Sequence, residues 1–128
     1  MNEASLYASV GEAGITRMVA AFYSRIRTDD LLGPMYPDSD WEGSELRLRE
    51  FLMFRLGGDT RYVESRGHPR LRMRHMPFSI GIAERDRWLD LMRAAMKEAD
   101  LPSEAILELD AFFSQVADFM RNREEPAH

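Results

Sequence analysis

No stretch of this sequence alternates apolar and polar residues over the length of a strand, whereas apolar residues recur at helical steps along most of it. Ile106, Leu109, Phe113, Val116, Ala117 and Met120 line one side of a predicted final helix, with Phe112 and Phe119 widening its apolar face. Trp88, Leu91, Met92, Ala95, Met96 and Ala99 do the same for a helix beginning near Ile82, and Leu101-Pro102-Ser103 separates the two. Val19, Phe22, Tyr23 and Ile26 fall at i, i+3, i+4 and i+7 of an earlier helix. Before it, Ser5–Val10 is predicted to be a short helical piece closed by Gly11 and Gly14. Thr28-Asp29-Asp30 and Gly33-Pro34 break the chain, and Tyr36-Pro37 closes an irregular turn. Asp38-Ser39-Asp40 offers N-caps for a helix whose inner face carries Ser44, Leu48, Phe51 and Leu52 and which ends at Gly57-Gly58. The expected fold is all-α: one domain over residues 1–128, with 121–128 a frayed polar tail.

Composition narrows the chemistry. Without cysteine there are no disulfides, no thiolate metal sites and no covalent C-x-x-C-H haem attachment. No apolar run is long enough to span a membrane, and the N-terminus has no basic segment followed by an apolar one, so a cytoplasmic protein is the default expectation. A net charge of −5 argues against nucleic acid as a partner.

One segment departs from that balance. Thr60–Gly67 reads as a connecting loop, followed by GHPRLRMRHMPF at Gly67–Phe78. Pro69 suits the first turn of a helix, and Pro77 disfavours helical geometry at Met76, so a short helix is predicted over Pro69–His75. His75 then stands in the last turn, downstream of Arg66, Arg70, Arg72 and Arg74. An imidazole beside a cationic patch suits a ligand that needs both a nitrogen donor and partners for negative charge, and haem with its two propionates meets that demand. A histidine placed at a helix C-terminus by the helix dipole is the structural alternative. The arginines have three readings: propionate partners, a solvated helix face, or a docking patch for an anionic partner.

In this order the residues resemble the truncated haemoglobins, the two-over-two globins, and specifically their second group. The likeness rests on Gly11/Gly14, AFY at Ala21–Tyr23, MYP at Met35–Pro37, Gly57-Gly58, GHPRLRMRHMPF, and ERDRWL at Glu84–Leu89. It implies a two-over-two helical sandwich around a non-covalent haem b, with His75 as the proximal iron ligand. It implies Tyr23, Tyr36 and Trp88 as polar distal residues that stabilise bound gas. Ser44 would fall at the gate position of the distal helix, with Leu48 one turn further on. Phe51, Leu52, Met73 and Phe78 would contact the macrocycle, and Arg47, Tyr62, His68, Arg72 and Arg74 would stand near the propionates. One departure is Arg55-Leu56, where that family often carries an aromatic pair; it bears on a ligand route or an oligomer contact.

The expected function is reversible binding of O2, and with it NO and CO, at a histidine-ligated iron. Bound O2 develops partial negative charge, and the O–H groups of Tyr23 and Tyr36 and the indole N–H of Trp88 would stabilise it in a dry pocket. The alternative is a redox enzyme of the nitric oxide dioxygenase or peroxidase type. Sustained turnover would then need an external reductase, since 128 residues leave no room for a flavin or nicotinamide module. A haem-free helical interaction module is the third reading. The sequence leaves a homo-oligomer open.

Overall fold

The structure, a computed structural model, describes residues 3–57 and 80–121. Within them the chain forms four helices and a 3-10 turn, and no strand: α1 (Glu3–Ile26), the turn (Gly33–Met35), α2 (Trp41–Gly57), α3 (Ile82–Glu98) and α4 (Ser103–Phe119). The predicted loop Thr60–Gly67 and the short helix Pro69–His75 that it leads into lie outside the described residues, as do 122–128.

α1 is two helical pieces joined across a kink at Gly11, whose φ of 71° and ψ of 170° belong to a region open in practice only to glycine. Gly14 was expected to help close the first piece, but it is helical. Its role is close packing, since a Cβ there would stand 2.9 Å from Val10 Cγ1 and 3.3 Å from Leu101 Cδ2. Beyond the kink the predicted face is the centre of the core: Val19, Phe22, Tyr23 and Ile26 are all buried, with Ile15 and Met18 beside them.

α1 packs on both α2 and α3, α3 packs on α4, and α1 meets α4 lightly. The joints are specific. After α1, the Asp29 carboxylate accepts the N–H groups of Leu31 (3.1 Å) and Leu32 (2.8 Å), folding the chain into the turn that Pro34 begins. Asp40, one of the expected N-caps, accepts the Gly43 N–H through Oδ1 at 3.2 Å and so closes the first turn of α2. α3 begins where predicted, with the Gly81 N–H donating to Glu84 Oε1 at 2.7 Å. Between α3 and α4, Asp100 takes the left-handed conformation (φ 56°), and Arg17 of α1 donates to the Ala99 carbonyl at 3.3 Å.

The predicted faces differ from the observed ones at their edges. Phe119 does not widen the apolar face of α4, for it is 62 % exposed near the helix end, while Ala105 is buried. Met53 and Leu56 of α2 and Leu89 of α3 join the core beside the residues expected there. Arg55 lies over the Phe112 ring, 5.4 Å from its centroid, so the Arg55-Leu56 pair is accommodated by a cation–π contact and a buried leucine.

Candidate functional site

A cavity of about 350 Å³ is lined by residues of α1, the 3-10 turn, α2, α3 and α4. Its walls are mainly apolar: Leu32 and Met35 from the turn, Leu48, Phe51 and Leu52 from α2, Ile80 before α3, and Phe112, Phe113, Val116, Ala117 and Met120 from α4. The helical spacing explains this lining. Positions 48, 51 and 52, and positions 113, 116, 117 and 120, each form one stripe that reaches the cavity from one side of its helix.

Into this lining come three donors from three elements. Tyr23 is brought by α1, Tyr36 by the segment after the 3-10 turn, and Trp88 by α3. Tyr23 and Tyr36 meet edge to face, with centroids 5.7 Å apart. Trp88 is held between Phe22 (4.9 Å) and Phe113 (5.5 Å), both edge-on. All three polar side chains line this one cavity. Burial pushes the Tyr36 phenol up to about 12, against a lowering effect from the neighbouring Trp88 and Tyr23. Burial raises Tyr23 as well, reinforced by Tyr36. Both phenols are therefore neutral and keep their protons at physiological pH. Tyr36 is partly exposed as a residue, yet it lines the cavity beside Tyr23 and Trp88.

The hinge beneath Tyr36 is fastened to α3. Arg87, next to Trp88 in sequence, forms an ion pair with Asp29, whose side chain is only 5 % exposed. Burial works against the Asp29 carboxylate, but the Leu32 and Leu31 N–H groups and the Arg87 guanidinium outweigh it and hold the carboxyl below its usual range. One clamp thus ties the turn carrying Tyr36 to the helix carrying Trp88.

Two guanidinium groups reach the cavity lining. Arg47, which the sequence marked, is positioned by Ser44 Oγ (3.1 Å) and Asp40 Oδ2 (3.2 Å). Arg85, which the sequence did not mark, is held by Asp118 at 2.8 Å and by Asp86. Ser44, Leu48, Phe51 and Leu52 all line the cavity as expected. Tyr62, His68, Arg72, Met73, Arg74, His75 and Phe78 fall outside the described residues. Glu84 and the α4 wall were not marked as site residues. Glu84 stood in the ERDRWL run without a role, and the apolar stripe of α4 reads the same whether it meets a helix or a cavity.

The model of the bacterial-like globin family matches residues 5–122. The chain is 39 % identical over 98 residues to the group 2 truncated hemoglobin YjbI of Bacillus subtilis (strain 168), covering 77 % of this chain and 74 % of that protein. Among solved structures it resembles the thermostable hemoglobin of the actinobacterium Thermobifida fusca, with 46 % identity, a TM-score of 0.88, and coverage of 94 % of this chain and 98 % of that one. It also resembles the truncated oxygen-avid haemoglobin of Bacillus subtilis, with 36 % identity, a TM-score of 0.86, and coverage of 91 % and 98 %. The chain belongs to the bacterial-like globins, as a group II truncated haemoglobin of the two-over-two fold. It is therefore a haem-binding globin that takes up ligand, which displaces the haem-free interaction module.

The described residues fit that cofactor. A flat macrocycle needs apolar walls, its ionised propionates need cations, and a ligand on its iron needs donors. Leu48, Phe51, Leu52, Val116 and Met120 are candidates for the first, Arg47 and Arg85 for the second, and Tyr23, Tyr36 and Trp88 for the third.

Proposed function

We propose that this chain binds O2 reversibly, and NO and CO with it, at a non-covalent haem b whose proximal ligand is His75. The observation that carries this reading is the placement of Tyr23, Tyr36 and Trp88 together in the lining of a mainly apolar cavity. The haem would supply an iron with one coordination position open to a diatomic ligand. The chain's own residues decide how firmly that ligand is held. Tyr36 lines the cavity as a neutral phenol, so its O–H can donate to a ligand there. Tyr23 and Trp88 line the same cavity and add two further donors. Leu48, Phe51 and Leu52 exclude water, and a donor bond in a dry site is stronger than one to a solvated ligand. Slow release follows, which agrees with the relative described as oxygen-avid.

The propionates would be met by Arg47 and Arg85 from the described chain and by Arg72, Arg74, Tyr62 or His68 from the segment around His75. The phenylalanines and Met73 would seat the ring. We place the protein in the cytoplasm, where O2 storage or transport and the oxidation of NO by bound O2 draw on the same pocket. The latter would need an external reductase.

The test is an absorption spectrum of the reconstituted protein beside that of His75→Ala, followed by stopped-flow O2 release. A stoichiometric Soret band with a reversible oxy spectrum, altered in His75→Ala, is expected. Tyr36→Phe should release O2 roughly tenfold faster, the effect of one lost donor bond in a desolvated site, with Tyr23→Phe and Trp88→Phe smaller. Unchanged rates in all three would sink the donor assignment.

A further inference from the structure

We propose that Trp41 is a positioning residue for the Tyr36 hydroxyl: its indole fixes the plane of the Tyr36 ring, and through that ring the direction in which the O–H is presented to the cavity. This rests on the reading of Tyr36 as the direct ligand donor.

Tyr36 needs such a support. It follows the 3-10 turn on extended backbone (φ −106°, ψ 147°), outside any α-helix, and part of the residue faces solvent. A phenol there has two free side-chain torsions unless its faces are covered. Tyr23 meets it only edge-on, at 84°. Trp41 supplies the missing face, stacking on Tyr36 at 25° with centroids 5.5 Å apart, while also meeting Tyr23 at 72° and 6.4 Å.

Trp41 is itself fastened from three directions. It is the first residue of α2, whose backbone is anchored by the Asp40 cap. Its Nε1–H donates to Asp38 Oδ1 at 3.3 Å, and the Arg27 guanidinium carbon lies 5.5 Å from its ring centroid. A cation over an indole and a carboxylate on its N–H restrain tilt and rotation respectively. Trp41 is not part of the cavity lining, and among the described aromatic rings it meets the lining at Tyr36 and Tyr23. The stack is thus the outer layer of the donor cluster: Arg27 and Asp38 hold Trp41, Trp41 holds Tyr36, and Tyr36 faces the cavity.

The experiment compares Trp41→Leu, Trp41→Phe, Asp38→Ala and Tyr36→Phe in the haem-reconstituted protein. Three quantities are read: the O2 release rate, the C–O stretching frequency of the carbon monoxide adduct, and the alkaline titration of Tyr36 from phenolate absorption. Trp41→Leu should release O2 about five times faster, approaching Tyr36→Phe, and shift the C–O stretch in the same direction. Its Tyr36 phenol should titrate earlier. Trp41→Phe, which keeps a stacking ring, should stay near wild type, and Asp38→Ala should shift all three quantities slightly in the Trp41→Leu direction. Trp41→Leu that lowers the unfolding temperature but leaves release, stretch and titration at wild-type values would overturn the proposal. If Trp41→Leu does not fold, wild-type values of all three in Asp38→Ala would overturn it instead. Should Tyr36→Phe itself leave O2 release and stretch unchanged, the donor reading fails; the titration, which needs no ligand, then decides the positioning by itself.

Discussion

A phenol that lines an apolar cavity keeps its proton for a ligand there, and burial makes that proton hard to remove. Tyr36 is raised from an ordinary 10.0 to about 12. Because the folded value lies above the unfolded one, the stability this neutral phenol contributes is fully present below pH 10.0 and is lost as pH rises toward about 12. Titration of the wild type against Tyr36→Phe should therefore show the Tyr36 phenolate forming later than a free phenol, and the alkaline loss of stability should be shallower in the variant. The types of these donors were legible in the sequence, because Tyr23, Tyr36 and Trp88 stand in AFY, MYP and ERDRWL. That they line one cavity was not, since that depends on how three elements pack.

At the level of single elements, two joints carry the geometry of the site. Asp29 has a depressed carboxyl, so its contribution is present above the ordinary value of 3.8 and is lost as pH falls through the lower folded value. Asp29→Asn should be less stable than wild type at neutral pH, and denaturant midpoints of the two should converge as pH drops below 3.8. Because the same carboxylate pairs with Arg87 beside Trp88, the variant should also release O2 faster. The second joint is the kink at Gly11. A Cβ there meets nothing within 4 Å, so the cost of Gly11→Ala is conformational alone. With φ at 71° it should destabilise by about 1–3 kcal/mol in chemical denaturation without altering the haem spectrum. The sequence marked Thr28-Asp29-Asp30 as a break and Gly11 as an end. It gave no sign of Arg87, 58 residues from Asp29, as the clamp.

Across the whole molecule, α1 packs on α2 and α3, and α3 on α4, while α2 and α4 also turn apolar side chains toward the cavity. Filling that cavity should stabilise chiefly those two helices. At a haem concentration about a thousand times its dissociation constant the gain is roughly 4 kcal/mol. Hydrogen exchange should accordingly slow most in α2 and α4 on reconstitution, with a smaller change in the α1 centre around Phe22 and Ile26. Equal protection of all four helices with and without haem would contradict this division.

The sequence by itself determined the described helices, their order, most of their buried faces and the family, because helical periodicity and short ordered motifs are local properties of the chain. It also supplied the residue types of the cavity, down to Ser44, Leu48, Phe51 and Leu52 on one face of α2. Only the tertiary structure decided that the α4 stripe of Phe113, Val116, Ala117 and Met120 faces a cavity as well as the core. Only it brought Arg85 to the lining and set Trp41 against Tyr36. A stripe of apolar side chains carries the same pattern whatever it meets, and a contact between two elements depends on the angle at which they pack, which neither segment encodes alone.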